Sequence, residues 1–166
     1  QQQLLLEGKR VGEEITLTKF SLVSDDQSQQ LEAAGRYSLK NKTFAGNGNW
    51  SELSWPMTGE AQYSSPQGSF EAGGKLTDYQ FQLEAQVAGE AIPTGSWRVN
   101  GKGSDQALKQ FEIQGRTLDG QIAANGEASW VPAVSWNTEL SVQGINPGVH
   151  WSSVPGRVDG RIESKG

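Results

Sequence analysis

Between Thr77 and Ile92 the chain reads TDYQFQLEAQVAGEAI. Tyr79, Phe81, Leu83, Ala85, Val87 and Gly89 fall on one parity, and Gln80, Gln82, Glu84, Gln86 and Ala88 on the other. Successive side chains of a β-strand point to opposite faces, so a period of two predicts a strand with one oily and one wet face. The oily parity needs something to touch, and that need governs what the rest of the chain can fold into.

The same alternation runs from end to end. After Leu4–Leu6, Ile15 and Leu17 alternate, as do Phe20 and Leu22, but the parity switches between the pairs, which predicts a β-bulge near Thr18-Lys19. Asp25-Asp26 supplies turn chemistry. Leu31, Ala33, Gly35, Tyr37 and Leu39 share a face, and Phe44, Gly46, Gly48 and Trp50 share another strand's face. Gly59, Ala61 and Tyr63 follow, then Phe70 with Ala72 and, past the opening strand, Trp97 with Val99. Phe111 with Ile113, Ile122 with Ala124, Trp136 with Leu140 and Val142, and Val158 with Ile162 complete the series. Leu118-Asp119-Gly120-Gln121 contains the Asp-Gly pair of a tight hairpin turn.

A degenerate pattern, Gly, then a large apolar residue two further on, then Ala or Val, starts at Gly68, Gly95 and Gly120. Each copy precedes a second alternating strand, giving strand-pair units near residues 68–92, 95–118 and 120–144, in an array that grows by repetition. Gly and Ala share the oily parity with the large residues throughout. Glycine weakens a strand but permits bending and close approach, so the mixture predicts a strongly curved antiparallel sheet folded over its own apolar face. Hydrophobic residues make up 34% of the chain, low for a domain with a thick core and sufficient for many half-buried strands.

Composition excludes several classes. A net charge of −5, with no basic cluster larger than Lys9-Arg10, argues against a nucleic-acid partner. Cysteine is absent, which removes disulfides and thiolate metal sites. No apolar run approaches the roughly 20 residues of a membrane helix. The start at Gln1-Gln2-Gln3 and the polar RIESKG at the other end read as cut ends of a longer chain. The first edge strand is expected near Ile15–Leu22 and the last near Val158–Ile162, with edge-to-edge association of copies in a crystal.

Chemistry-bearing residues are scarce. His150 is the only histidine; without a second His or a Cys it reads as a turn residue and not as a metal ligand. G-x-S-x-G, a P-loop and a complete G-x-G-x-x-G are all missing. Adjacent carboxylates such as Glu13-Glu14 point to opposite faces of a strand and suit solvent roles. No cofactor is expected, and the chain is not expected to be an enzyme. The six tryptophans could stack on sugars if exposed on a flat polar face. Trp97 and Trp136 instead share a parity with Val99, Leu140 and Val142 and are expected to line an interior, whereas Trp55, before Pro56, is expected to plug an edge.

Three phrases carry a resemblance: NWSELSWPMTGEAQY, GGKLTDYQFQLEAQVAG and VPAVSWNTELSVQGINPG with VPGRVDGRIESKG. They resemble the TamB family, which is related to AsmA-like proteins, and the likeness is fullest from Asn49 to Gly166. Its motifs are structural and not catalytic. The resemblance implies an all-β fold, a repeating antiparallel sheet curled into an open trough, or β-taco, with a hydrophobic inside. It implies a central span of a protein anchored in the inner membrane of a Gram-negative bacterium and crossing the periplasm. It further implies movement of glycerophospholipids between inner and outer membranes, with a TamA-like outer-membrane barrel as partner of another region.

On this reading the oily parity lines a groove for phospholipid acyl chains. Leu31, Tyr37, Leu39, Tyr79, Phe81, Leu83, Val87 and Trp97 are its expected lining in the first part of the chain. Val99, Phe111, Ile113, Ile122, Trp136, Leu140 and Val142 continue it, while Gln80, Gln82 and Glu84 face water. The alternative is a scaffold or chaperone that templates outer-membrane β-barrel or autotransporter strands on an open sheet edge. A sugar-binding β-sandwich is a distant third.

Overall fold

The computed structural model describes residues 2–25, 28–56 and 60–166. Eleven strands follow one another: β1 (Gln2–Val11), β2 (Glu14–Ser24), β3 (Gln30–Ser38), β4 (Thr43–Trp55), β5 (Tyr63–Lys75), β6 (Asp78–Gly89), β7 (Gly95–Gly103), β8 (Ala107–Thr117), β9 (Gly120–Ser129), β10 (Ser135–Ile145) and β11 (Val158–Lys165). Each pairs antiparallel with the next, so spatial order equals chain order in a single curled sheet. It is open, with β1 and β11 as its edges. The described residues contain no α-helix, only a 3-10 turn at Pro147–Val149. Asp26 and Gly59, which figure in the expected turn and alternation, lie outside the described residues.

Register makes the alternation collective. Directly opposed residues share a face, and the partners run Leu22, Leu31, Trp50, Gly68, Ala85, Trp97, Gly115, Ile122 and Val142 from β2 to β10. A neighbouring row runs Phe20, Ala33, Gly48, Phe70, Leu83, Val99, Ile113, Ala124 and Leu140 to Ile162 on β11. The expected bulge lies at Thr18-Lys19: Leu17 pairs with Gly35 and Phe20 with Ala33, leaving two residues opposite Ala34. Against β1, Lys19 pairs with Glu7 and Leu17 with Gly8, so Thr18 is the extra residue, and its Oγ1 donates to Glu7 O at 3.0 Å. The bulge restores Ile15 and Leu17 to the face of Phe20 and Leu22.

No second layer covers this face, and Ile145, at 6% exposure, is the sole buried hydrophobic residue among those described. The large side chains instead lie down on glycines of the next strand. A Cβ on Gly115 would sit 2.5 Å from the Trp97 ring, and one on Gly48 the same distance from the Phe70 ring. Phe81 likewise occupies the space over Gly101, Trp50 that over Gly68, and Tyr63 that over Gly89. An aromatic ring laid across a neighbouring glycine recovers the contact the glycine lacks, so the paired small and large residues form one smooth apolar surface.

Three local expectations are corrected. The sheet edge is β1 and not the Ile15–Leu22 strand, because Leu4 and Leu6 pair with Leu22 and Phe20. The hairpin turn centres on Leu118 and Asp119, with φ of 50° and 61°, and Gly120 already pairs with Thr117. Glycine is needed at 120 for close approach, since a Cβ there would lie 2.5 Å from Gln143 O and 2.6 Å from Ile145 N. Trp55 plugs no edge: it ends the interior strand β4 and is 66% exposed.

Two consequences are measurable in the 166-residue chain by urea denaturation. Gly115→Ala displaces the Trp97 ring and is expected to cost about 1–3 kcal/mol. Gly46→Ala, whose nearest neighbouring atom would be 3.5 Å away, is expected to be neutral or stabilising by about 0.5 kcal/mol. Deleting Thr18 keeps Ile15, Leu17, Phe20 and Leu22 of β2 in phase and costs about 1 kcal/mol for its hydrogen bond. Deleting Gln82 inverts half of β6 and is expected to abolish the cooperative transition; equal tolerance of both deletions contradicts the register.

Candidate functional site

The apolar face is the largest organised feature. Leu31, Tyr37, Tyr79, Phe81, Leu83, Val87 and Trp97 all lie on it, as do Val99, Phe111, Ile113, Ile122, Trp136, Leu140 and Val142. Leu39 does not. It follows the end of β3, donates its backbone N–H to Glu13 O at 2.8 Å, and is 39% exposed in the turn before β4. Parity counting carried it onto the face because alternation does not register where a strand stops. Phe20, Phe44, Trp50 and Phe70 belong to the same surface although the expected lining left them out; their alternation signals it, and for Phe44, Trp50 and Phe70 so does the glycine opposite.

Polar atoms on this surface are few and mostly satisfied. Trp50 Nε1 donates to Ser65 Oγ at 2.7 Å, and Trp136 Nε1 to Ser164 Oγ at 2.9 Å. Trp97 Nε1 is buried without a hydrogen-bond partner, a cost of about 1–3 kcal/mol accepted where the ring lies over Gly115. Phe44 and Tyr79 form a tilted pair with centroids 6.2 Å apart near the β5–β6 turn.

The opposite face is a polar ladder. Gln80 and Gln82 are exposed, and Glu84 accepts from Arg98 Nε directly across β7 at 2.8 Å. Arg161 pairs with Glu139 at 2.6 Å and Lys109 with Asp78 at 3.0 Å. The hydrogen bond and charge of Lys109 hold the exposed Asp78 carboxyl below its ordinary range. Such solvent-exposed pairs set register more than stability. Two open depressions, about 700 and 820 Å³, also lie on this side. The first has a floor of backbone along Leu17, Gly35, Gly46, Ala72, Phe81 and Gly101, and walls that include Arg36, Glu71, Lys102 and Glu112. These are spaces between rows of long polar side chains and offer nothing to an acyl chain, so the apolar face is the candidate site.

Nothing in the arrangement resembles a reaction centre. His150 sits at the end of the 3-10 turn, with Nε2 3.0 Å from Glu90 O and its ring edge-on to Trp151 at 4.6 Å. It latches the β10–β11 loop onto the β6–β7 loop. Among the described residues no His, Cys, Asp and Glu cluster could hold a metal ion, and no helix is long and apolar enough to cross a membrane.

No solved structure matches the chain. The family model described as TamB, N-terminal domain, matches residues 3–166, so the expected central placement is not the one its description names. Coverage of nearly every residue, on a sheet whose open antiparallel form is the one the resemblance implied, leads to one conclusion: the chain belongs to the TamB family.

Proposed function

We propose that the apolar face is a segment of a groove that carries the acyl chains of glycerophospholipids between the inner and outer membranes, within a periplasmic protein anchored in the inner membrane. Family membership supports a TamB-related role in outer-membrane assembly or lipid transport, in a family that is a transport and assembly module and not an enzyme family. The observation that carries the reading is the apolar surface itself, which extends in register from β1 to β11 with no second layer over it. Exposing a lipid tail to water costs about 0.8 kcal/mol per CH₂, or roughly 13 kcal/mol for sixteen carbons. A continuous apolar surface removes most of that barrier and requires no nucleophile, metal or nucleotide.

A second reading has its own observation. Strand β1, the edge of this 166-residue chain, carries Leu4, Leu5 and Leu6, all exposed, with Leu5 on the otherwise polar face opposite Ser21; the second reading applies if no further strand of the full-length protein pairs with it. An edge apolar on both faces can template an incoming strand, as a scaffold for β-barrel precursors would.

A photocrosslinker in the full-length protein in cells separates the two. At Leu83 it is expected to give phospholipid adducts and at Gln82 none; adducts to nascent barrel strands at Leu5, with no lipid at Leu83, favour the scaffold. Leu83→Asp is expected to reduce lipid passage strongly while costing the fold only about 1–3 kcal/mol, because the open face lets the charge hydrate. Gln82→Asp serves as control, and equal transport defects at the two positions remove the parity argument.

A further inference from the structure

Topology sorts the charges along the strand axis. The turns β1–β2, β3–β4, β5–β6 and β7–β8 lie on one rim of the sheet. Lys9 and Arg10 lead into the first turn, and Arg36, Lys40 and Lys42 surround the second. Lys75 leads into the third, and Lys102 and Lys109 flank the fourth, so these turns gather eight of the chain's 14 Lys and Arg residues. Arg10 stands on the apolar parity, Lys9, Arg36, Lys75 and Lys102 on the polar one, Lys40 and Lys42 lie in the turn itself, and the fifth turn of this rim, β9–β10, carries no cation. The carboxylates within two residues of the same turns are Glu13, Glu14, Asp78 and Asp105, and Asp78 is held by Lys109. Among the described residues Lys9, Lys40, Lys42, Lys75 and Lys102 make no ion pair. The opposite rim is acidic: Asp25, Glu60, Glu90, Asp119 and Asp159 lie there, with Arg116 and Arg157 as its cations. A chain of net charge −5 thus presents one positive border.

That border is also greasy at its tips. Val11, Leu39 and Leu76 are exposed on the first three of its turns, each beside a cation: Arg10, Lys40 and Lys75. Immediately inboard, Tyr37, Phe44 and Tyr79 form a row of the apolar face. Moving outward across this border at the β3–β4 turn, a ligand meets aromatic surface, then the aliphatic tip of Leu39, then the ammonium groups of Lys40 and Lys42. That is the polarity profile of a phospholipid read from tail to phosphate, and cations placed beside apolar anchors favour anionic lipid.

We propose that this basic rim is a headgroup rail: it binds the phosphates of anionic phospholipids, phosphatidylglycerol in kind, whose tails lie on the apolar face, while the acidic rim repels them. The assignment rests on the acyl-chain reading above and adds an orientation and a headgroup class. A lipid lying across both surfaces satisfies the aromatic row and the lysines together, which contact with a flat bilayer does not do.

The absence of cysteine permits single nitroxide labels. The 166-residue chain would carry one at Asn41→Cys on the basic rim, at Ala91→Cys on the acidic rim, or at Val99→Cys on the apolar face, with phosphatidylglycerol supplied in mixed detergent micelles. The Asn41 label is expected to broaden the phosphorus resonance of bound lipid several-fold more than the Ala91 label, and the Val99 label to broaden the tail methyl protons. In unlabelled chain, Lys40→Gln/Lys42→Gln/Lys75→Gln is expected to reduce the preference for phosphatidylglycerol over diacylglycerol of the same tails by about tenfold or more, leaving diacylglycerol binding intact. Equal phosphorus broadening from both rims overturns the rail while leaving the groove. So does loss of attachment to phosphatidylglycerol vesicles in the triple variant with an unchanged headgroup preference, because the lysines would then serve a bilayer surface. No tail broadening from Val99 overturns the groove and the rail together.

Discussion

Everything in this sheet depends on large side chains lying flat over glycines of the next strand. A single-layer sheet cannot bury its apolar residues under a second layer, so contact must be made sideways. Trp97 over Gly115, Phe81 over Gly101 and Phe70 over Gly48 supply that contact across successive strand pairs. Neither partner works alone. Glycine without the ring leaves a weak, solvated strand; the ring without glycine stands upright and roughens the surface.

The same packing explains how a protein with almost no buried core holds a fold. Each strand from β2 to β10 is satisfied by two neighbours and the array is additive, as in other repeat architectures. Stability is spread over hairpins, with close-approach glycines such as Gly120 and the bulge at Thr18 adjusting register locally. What results is a broad half-exposed apolar surface, a liability in most soluble proteins and the required property in a lipid groove. The polar face, laced with pairs such as Glu84–Arg98, keeps the other side wet and the two faces unmistakable.

Much of this was legible in the residues. Alternation located nearly every strand, because the period of a strand is two and the strands from β2 to β10 are half-buried. The bulge was legible for the same reason, since a parity switch has few other physical causes. The family was legible in phrases such as NWSELSWP and GGKLTDYQF. Illegible were the places where strands stop. Leu39 kept the right parity but had left the sheet, and the β8–β9 turn centred one residue before its Asp-Gly signal because the register of β9 against β10 claims Gly120 for close approach. Edge strand β1 was hidden because three consecutive leucines do not alternate.

By itself, the sequence determined which side of each strand is oily, since that depends only on parity and side-chain chemistry. Tertiary structure alone decided which oily residues meet across strands, because partners such as Leu83 and Val99 are set by hairpin register. It also decided where the charges go. Lys9, Lys40, Lys75 and Lys102 are scattered over more than ninety residues of chain. They form one rim only because every second turn of an antiparallel meander returns to the same side.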